Sequence, residues 1–292
     1  MGRGALESYA EMRPLRISAI SFLNTVPLMW DFEHDPTPEL VQNFRVEYTV
    51  PSLCAAQLQE GSADIGIVPV ITTATIPGLV IVPDVSISAK RPVRSILLVS
   101  KIPIEDVRTV AADTSSRTSV ALTQVLFTKF FGGPRQLTPM DPELGPMLAA
   151  CDAALLIGDA ALMAQTSGYR VYDLAELWQQ KTGTAFVFAV WAIRKAALKQ
   201  ADPKLDIARI FQTSRDHGLL PENLLGIARD WAPKLKLTVA DVQSYLQHNI
   251  YYQLDSACLD GLKLYFQFAG ECGLIPTSSG LEFVETTGPV IR

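Results

Sequence analysis

Only three histidines occur in the chain, His34, His217 and His248. His34 lies in an acidic, proline-rich stretch and the other two in a helical C-terminal third. None is therefore expected at a strand end, where an α/β enzyme would place a general base or metal ligand. The four cysteines, Cys54, Cys151, Cys258 and Cys272, form no CxxC pair. Their apolar or helical settings read as buried thiols of a reducing compartment. There is no GxGxxG after a strand, no GxxxxGK[ST], no HExxH and no GxSxG. The common signatures of dinucleotide and nucleotide binding, zinc proteolysis and serine hydrolysis are therefore missing. Positive charge is also short, 25 Lys and Arg against 30 Asp and Glu, for a net charge of −5. That balance argues against a nucleic-acid partner, which needs a basic face. Long apolar runs are absent, since TAFVFAVWAI (184–193) is far too short to span a bilayer. The opening MGRGALESYAEMRP carries Glu7 and Glu11 and no apolar stretch, so residues 1–14 read as a disordered leader, not a secretory signal. The expectations are a cytoplasmic protein with no metal, no cofactor, and no nucleic-acid or membrane partner.

What is present is apolar material. Hydrophobic residues make up 48% of 292, enough for one large domain or two ordinary ones. From residue 16 to about 195, short β-rich runs alternate with helical stretches. Arg16–Ile20, FRVEYTV (44–50), IGIVPV (65–70), LVIVPDVSIS (79–88) and RSILLVS (94–100) read as strands. SLCAAQLQEG is a helix whose Gly61 suits a C-terminal cap. A second unit with TVAADT (109–114), AALLIGD (153–159) and FVFAVWAIR (186–194) starts near Pro103. Beyond residue 200 the pattern is helical, punctuated by Pro203, Pro221 and Pro233. This predicts an α/β fold with largely parallel sheets. Two lobes are expected, one from 15–102 and 196–292 with the helical tail, the other from 103–195, with an active-site cleft between them.

Ligands of open α/β sheets bind beyond the carboxyl ends of strands. There the sequence places Ser21, Asn24 and Thr25, then Ser52, then Ser95 beside Lys90, Arg91 and Arg94, and finally Asp159. After TVAADT it reads Ser115-Ser116-Arg117-Thr118-Ser119, entering a helix. Single hydroxyls at such positions are usually helix caps, and Ser52 and Asp159 read that way first. The DTSSRTS run exceeds what one cap needs, and its arginine and free helix N–H groups favour a carboxylate or phosphate seat. The implied cleft is rich in hydrogen-bond donors and poor in titratable groups.

The motifs SxLNxxPL (Ser21, Leu23, Asn24, Pro27, Leu28) and PSxxAxxLxxGxxDIGIVP (51–69) resemble the menaquinone-biosynthesis family of the futalosine pathway. SRTSVAL (116–122), LLIGDAAL (155–162) and DLAELWQQKTGTAFVFAVW (173–191) extend the resemblance in the same order. It implies a two-lobe fold like that of type II periplasmic solute-binding proteins, with a C-terminal helical segment. Two sister activities share that fold. One dehydrates chorismate to 3-[(1-carboxyvinyl)oxy]benzoate; the other, 1,4-dihydroxy-6-naphthoate synthase, is expected to use a histidine where this chain has Gly158. The glycine favours the dehydratase. The resemblance then implies Asn24 and Ser95 as catalytic residues. Ser21, Thr25, Ser52, Ser116, Arg117, Thr118, Ser119, Gly158 and Asp159 would contact substrate. A non-catalytic small-anion receptor is the alternative of another class, disfavoured by the absent export signal. The ligand-sensing lobe of a regulator is a third, disfavoured by the lack of a DNA-binding segment before it.

Overall fold

The computed structural model describes residues 13–34, 36–113, 115, 117–277 and 280–285. Nearly all of the expected leader, residues 1–12, and Ser116 lie outside them. Among the described residues, ten strands form two separate five-stranded sheets. The first contains β1 (Leu15–Ile20), β2 (Phe44–Thr49), β3 (Ile65–Pro69), β4 (Leu79–Ala89) and β10 (Phe186–Arg194), in the order β2-β1-β3-β10-β4. The second contains β5 (Ile96–Ser100), β6 (Thr109–Asp113), β7 (Gln136–Met140), β8 (Ala153–Ile157) and β9 (Arg170–Asp173), in the order β7-β6-β8-β5-β9.

Two strands lie in the opposite sheet from that expected. β5 pairs with β8 and β9, and β10 pairs with β3 and β4. The chain therefore crosses between sheets near 90–95 and 183–185 instead of at 102/103 and 195/196. Each exchanged strand runs antiparallel to both neighbours, which makes the sheets mixed, not largely parallel. Both exchanged strands are apolar and buried. Such a run signals a central strand without revealing which sheet it joins.

Local chemistry accounts for the elements that frame the cleft. Central strands β3 and β8 are buried along their whole length. The helix Pro51–Glu60 starts on proline and ends at Gly61, whose φ of 82° supplies the left-handed cap. The C-terminal tail covers the edge strand β4 at both ends. Ser86 and Ser88 bond the backbone of Tyr252 and Tyr251, and Ile81 bonds Glu282 and Val284. An otherwise open edge is thereby blunted.

The first sheet is tied at its base by one carboxylate. Asp64 is fully buried and meets Arg13 at 2.6 Å and Arg16 at 2.9 Å, with Arg194 at 3.5 Å. The Arg16 backbone N–H adds a bond at 3.0 Å. These donors overcome the burial penalty and hold the carboxyl well below the usual carboxylate range. The folded state then binds fewer protons than the unfolded chain below about pH 4. The stability this site contributes is present above that pH and is lost as pH falls toward the folded value. Asp64→Asn is expected to cost about 2–3 kcal/mol at pH 7 and to flatten the acid limb of the stability–pH curve. Urea titrations at stepped pH read both; an acid limb of unchanged steepness would remove Asp64 from the account.

Candidate active site

The cleft floor begins where β1 ends. Thr25 turns the chain back: its hydroxyl donates to the Ile20 carbonyl at 2.5 Å and to that of Phe22 at 2.8 Å. Its oxygen thus builds the turn, and Thr25 contributes shape to the cleft. The turn opens into a 3₁₀-helix, Leu23–Met29, pinned by buried Leu23, Leu28 and Met29. Asn24 is the half-buried polar residue on that short helix. Behind it, the helix Ile207–Gly218 approaches so closely that a β-carbon on Gly218 would stand 2.0 Å from the Pro27 carbonyl oxygen.

The opposite wall comes from the second sheet. Gly158 follows β8 with φ of 56°, and its N–H donates to the Ser95 carbonyl at 2.8 Å. A β-carbon there would sit 3.0 Å from the Phe22 ring. A side chain at this position would strain the backbone and press on that ring. Asp159 does not cap its own helix, Gly158–Met163. It reaches across the cleft, where Oδ1 accepts the Leu23 N–H at 3.1 Å. Burial raises its pKa to about 6, with the Leu23 bond opposing the rise.

Ser95 stands at the crossing into β5 and is fully buried. The preceding Arg94 adopts φ of 64°, an uncommon conformation for a residue with a side chain. Asp173 holds it there, its Oδ2 accepting the Arg94 N–H at 2.6 Å. The other oxygen of Asp173 caps the helix Leu174–Thr182 through Ala175 and Glu176. Burial raises the Asp173 pKa against these donors. The Ser95 hydroxyl oxygen accepts from the hydroxyl of Tyr245 at 2.8 Å, and Asn24 lies near enough to that tyrosine to favour its ionised form, against the larger effect of burial. Asn24, Ser95 and Tyr245 thus form one polar cluster drawn from three distant parts of the chain.

Asn24, Thr25 and Gly158 line a small cavity between the sheets, with Phe22, Pro51, Pro69, Ile87, Ile96, Ile157 and Phe188 among its apolar walls. Other expected residues are placed differently. Ser21 is exposed. Ser52 is not the cap of its helix, since Val50 occupies that position. Arg117 is exposed at the start of the helix Arg117–Phe130. Thr118 and Ser119 are buried. The Thr118 hydroxyl accepts the Ile71 N–H at 3.3 Å, which joins this helix to the segment after β3. Tyr245, Phe22 and Asp173 were not singled out from sequence. The available signal for Tyr245 was chemical, because a buried tyrosine hydroxyl requires a partner. Among the described residues no group of three His, Cys, Asp or Glu side chains is gathered to hold a metal ion.

Residues 15–271 match the sequence model of a protein family described as menaquinone biosynthesis. The chain belongs to that family. The chorismate dehydratase of Thermus thermophilus is 29% identical over 278 residues, covering 89% of this chain and 96% of that protein. The chorismate dehydratase of Campylobacter jejuni is 27% identical over 250 residues, covering 84% and 93%. Among solved structures, a protein of Archaeoglobus fulgidus superposes with a TM-score of 0.67 at 14% identity, covering 92% of this chain and all of its own (100%). The periplasmic aliphatic sulphonate binding protein of Escherichia coli gives 0.60 at 18% identity, covering 96% of each chain. This menaquinone-biosynthesis protein therefore has the periplasmic-binding-protein-like fold expected from its motifs. Among its described residues, no helix is long and apolar enough to cross a membrane.

Proposed function

We propose that the protein is a cytoplasmic carbon–oxygen hydro-lyase that dehydrates chorismate to 3-[(1-carboxyvinyl)oxy]benzoate, without a metal, nucleic-acid or membrane partner. The observation that carries this reading is the polar cluster of Asn24, Tyr245 and Ser95, which reaches the cavity between the sheets through Asn24. It offers hydrogen-bond donors and no strong base, and dehydration of chorismate asks for little more. The reaction removes the proton on C3 and the hydroxyl on C4. The electrons of the C3–H bond complete the aromatic ring as the C4–O bond breaks, and the departing hydroxide leaves as water. C3–H is vinylogous to the ring carboxylate, so charge spreads onto those oxygens, and donors aimed there act as an oxyanion hole. Asn24 orients the substrate and assists hydroxide departure; Ser95 supplies a second donor. The hydroxyl-rich entry to the helix at Arg117 would hold a carboxylate.

Supporting the dehydratase over the sister synthase is Gly158, which stands where the synthase is expected to carry a histidine and where a side chain would crowd Phe22. The space enclosed at the cavity is about 50 Å³, room for one or two water molecules but not for a six-membered ring. Substrate admission therefore requires the two sheets to part, with the crossings at 90–95 and 183–185 as hinges.

The base is the substrate's own enolpyruvyl carboxylate, which folds back toward C3–H and gains by proximity what it lacks in basicity. Asp159 is the rival. Its Leu23 bond is one that an asparagine oxygen also accepts, so Asp159→Asn keeps the inter-sheet contact. Substantial turnover is expected in that variant, while chorismate amidated at the side-chain carboxylate binds without reacting. Loss of all turnover with normal chorismate binding would place the base on Asp159. The same variant has a stability signature. The folded carboxyl keeps its proton up to about pH 6, whereas an unfolded one releases it near pH 4. Stability therefore falls as pH rises through that window, and Asp159→Asn should be more stable than the parent at pH 8 by about 1 kcal/mol. The gain should shrink as pH drops below 6; a gain that persists at pH 4 would point to another cause.

A further inference from the structure

We propose that Tyr245, delivered by the C-terminal tail, is a positioning residue that fixes the Ser95 hydroxyl as a hydrogen-bond donor to substrate. The inference rests on the reading of Ser95 as a site residue. A serine hydroxyl has one proton to give and oxygen lone pairs to receive. At Ser95 the receiving side is engaged by the Tyr245 hydroxyl at 2.8 Å. Among the described residues the giving side meets the Val93 carbonyl at 3.5 Å, the outer limit of a hydrogen bond. The proton of Ser95 is thus left for a better acceptor, and the tyrosine dictates the direction in which it points. Tyr245 is itself 1% exposed. Burial raises its pKa well above the ordinary phenol value, so it stays protonated and can act only as a neutral donor toward Ser95.

The local backbone explains how a residue 150 positions away reaches this point. The helix Val239–Ser244 passes into a single π-helical turn, Tyr245–Asn249. Such turns often occur at functional sites. Its last residue, Asn249, donates to the Pro92 carbonyl at 2.8 Å, and Tyr251 and Tyr252 pair with Ser88 and Ser86. The tail is therefore laid along the crossing that carries Ser95, with Tyr245 as the contact that reaches the serine.

Tyr245→Phe removes only the hydroxyl and is the test, read in two independent ways. In turnover of chorismate, kcat should fall about 10- to 100-fold with KM changed less than about 3-fold, an oriented donor being worth that order in the transition state. The further loss from Tyr245→Phe should vanish in a Ser95→Ala background, because Tyr245 acts through Ser95. Site-specific 3-fluorotyrosine at 245, which keeps ring and hydroxyl, should retain turnover. In a crystal structure of Tyr245→Phe, free of any substrate, the Ser95 hydroxyl should occupy a new or a mixed rotamer. An unchanged kcat, or an equal loss in the Ser95→Ala background, would overturn the proposal. So would an unmoved Ser95 rotamer in the crystal. If the parent protein failed to turn over chorismate while Ser95 moved as expected, the dehydratase reading would fall and the positioning role would stand. If Tyr245→Phe does not fold, loss of turnover with 3-fluorotyrosine at 245 in a folded protein overturns the proposal and retention supports it.

Discussion

Asn24→Ala is expected to lower kcat for chorismate by about 10²–10³-fold, the order found when one preorganised donor is removed from a reacting oxygen. The folded state should barely notice. Asn24 is only half-buried, and the hold of its short helix on the core runs through Leu23, Leu28 and Met29. The thermal midpoint should stay within a few degrees of the parent. Steady-state kinetics and a melting curve on the same preparation separate the two. A midpoint that collapses along with activity would make Asn24 a structural residue, and retained turnover would remove it from the chemistry.

The second large effect is expected in a helix far from the reacting atoms. Alanine for glycine inside a helix ordinarily stabilises by about 1 kcal/mol. At Gly218 the sign should reverse, with a loss of about 3 kcal/mol or more. The added methyl would meet the Pro27 carbonyl oxygen at 2.0 Å, and that oxygen is backbone. Relief requires the helix Ile207–Gly218 or the 3₁₀-helix Leu23–Met29 to shift, and the latter carries Asn24. Gly218→Ala should therefore lose turnover through misplacement of Asn24 even where enough folded protein is recovered. Urea midpoints and kcat measured together test this. An ordinary helix-type stabilisation would show that the approach is looser than the structure has it.

These two positions illustrate what could be read from the chain and what could not. The place of Asn24 was legible because it follows the first strand of an α/β chain, and it lines the cavity between the sheets. Gly218 was not, because its meaning lies in a contact with Pro27, remote in sequence. The same limit explains the other corrections. β5 and β10 were recognised as buried strands, but hydrophobicity carries no information about which sheet will hold a strand. β7 was missed because Pro139 and its exposed neighbours weaken the strand pattern; edge strands tolerate such residues, and β7 is one. Asp159 read as a local cap because its true donor, the Leu23 N–H, lies 136 residues away. That the Thr25 hydroxyl also builds the turn could not be read from sequence, because only its distances to Ile20 and Phe22 reveal that use. Tyr245 fell in a helical stretch where an aromatic residue reads as packing. Gly61, by contrast, was legible at once, since a left-handed cap is a local requirement.

The central claim is that a cleft furnished with donors, and no histidine, metal or cofactor, suffices to aromatise chorismate. Its most direct test is to incubate the purified protein, after exhaustive treatment with chelator, with chorismate alone and follow products by mass spectrometry. The account predicts an aromatic product lighter than chorismate by one water, formed at the rate of the untreated protein. Chorismate bound but recovered unchanged would identify a receptor instead of an enzyme, and turnover restored only by added zinc or magnesium would contradict the mechanism.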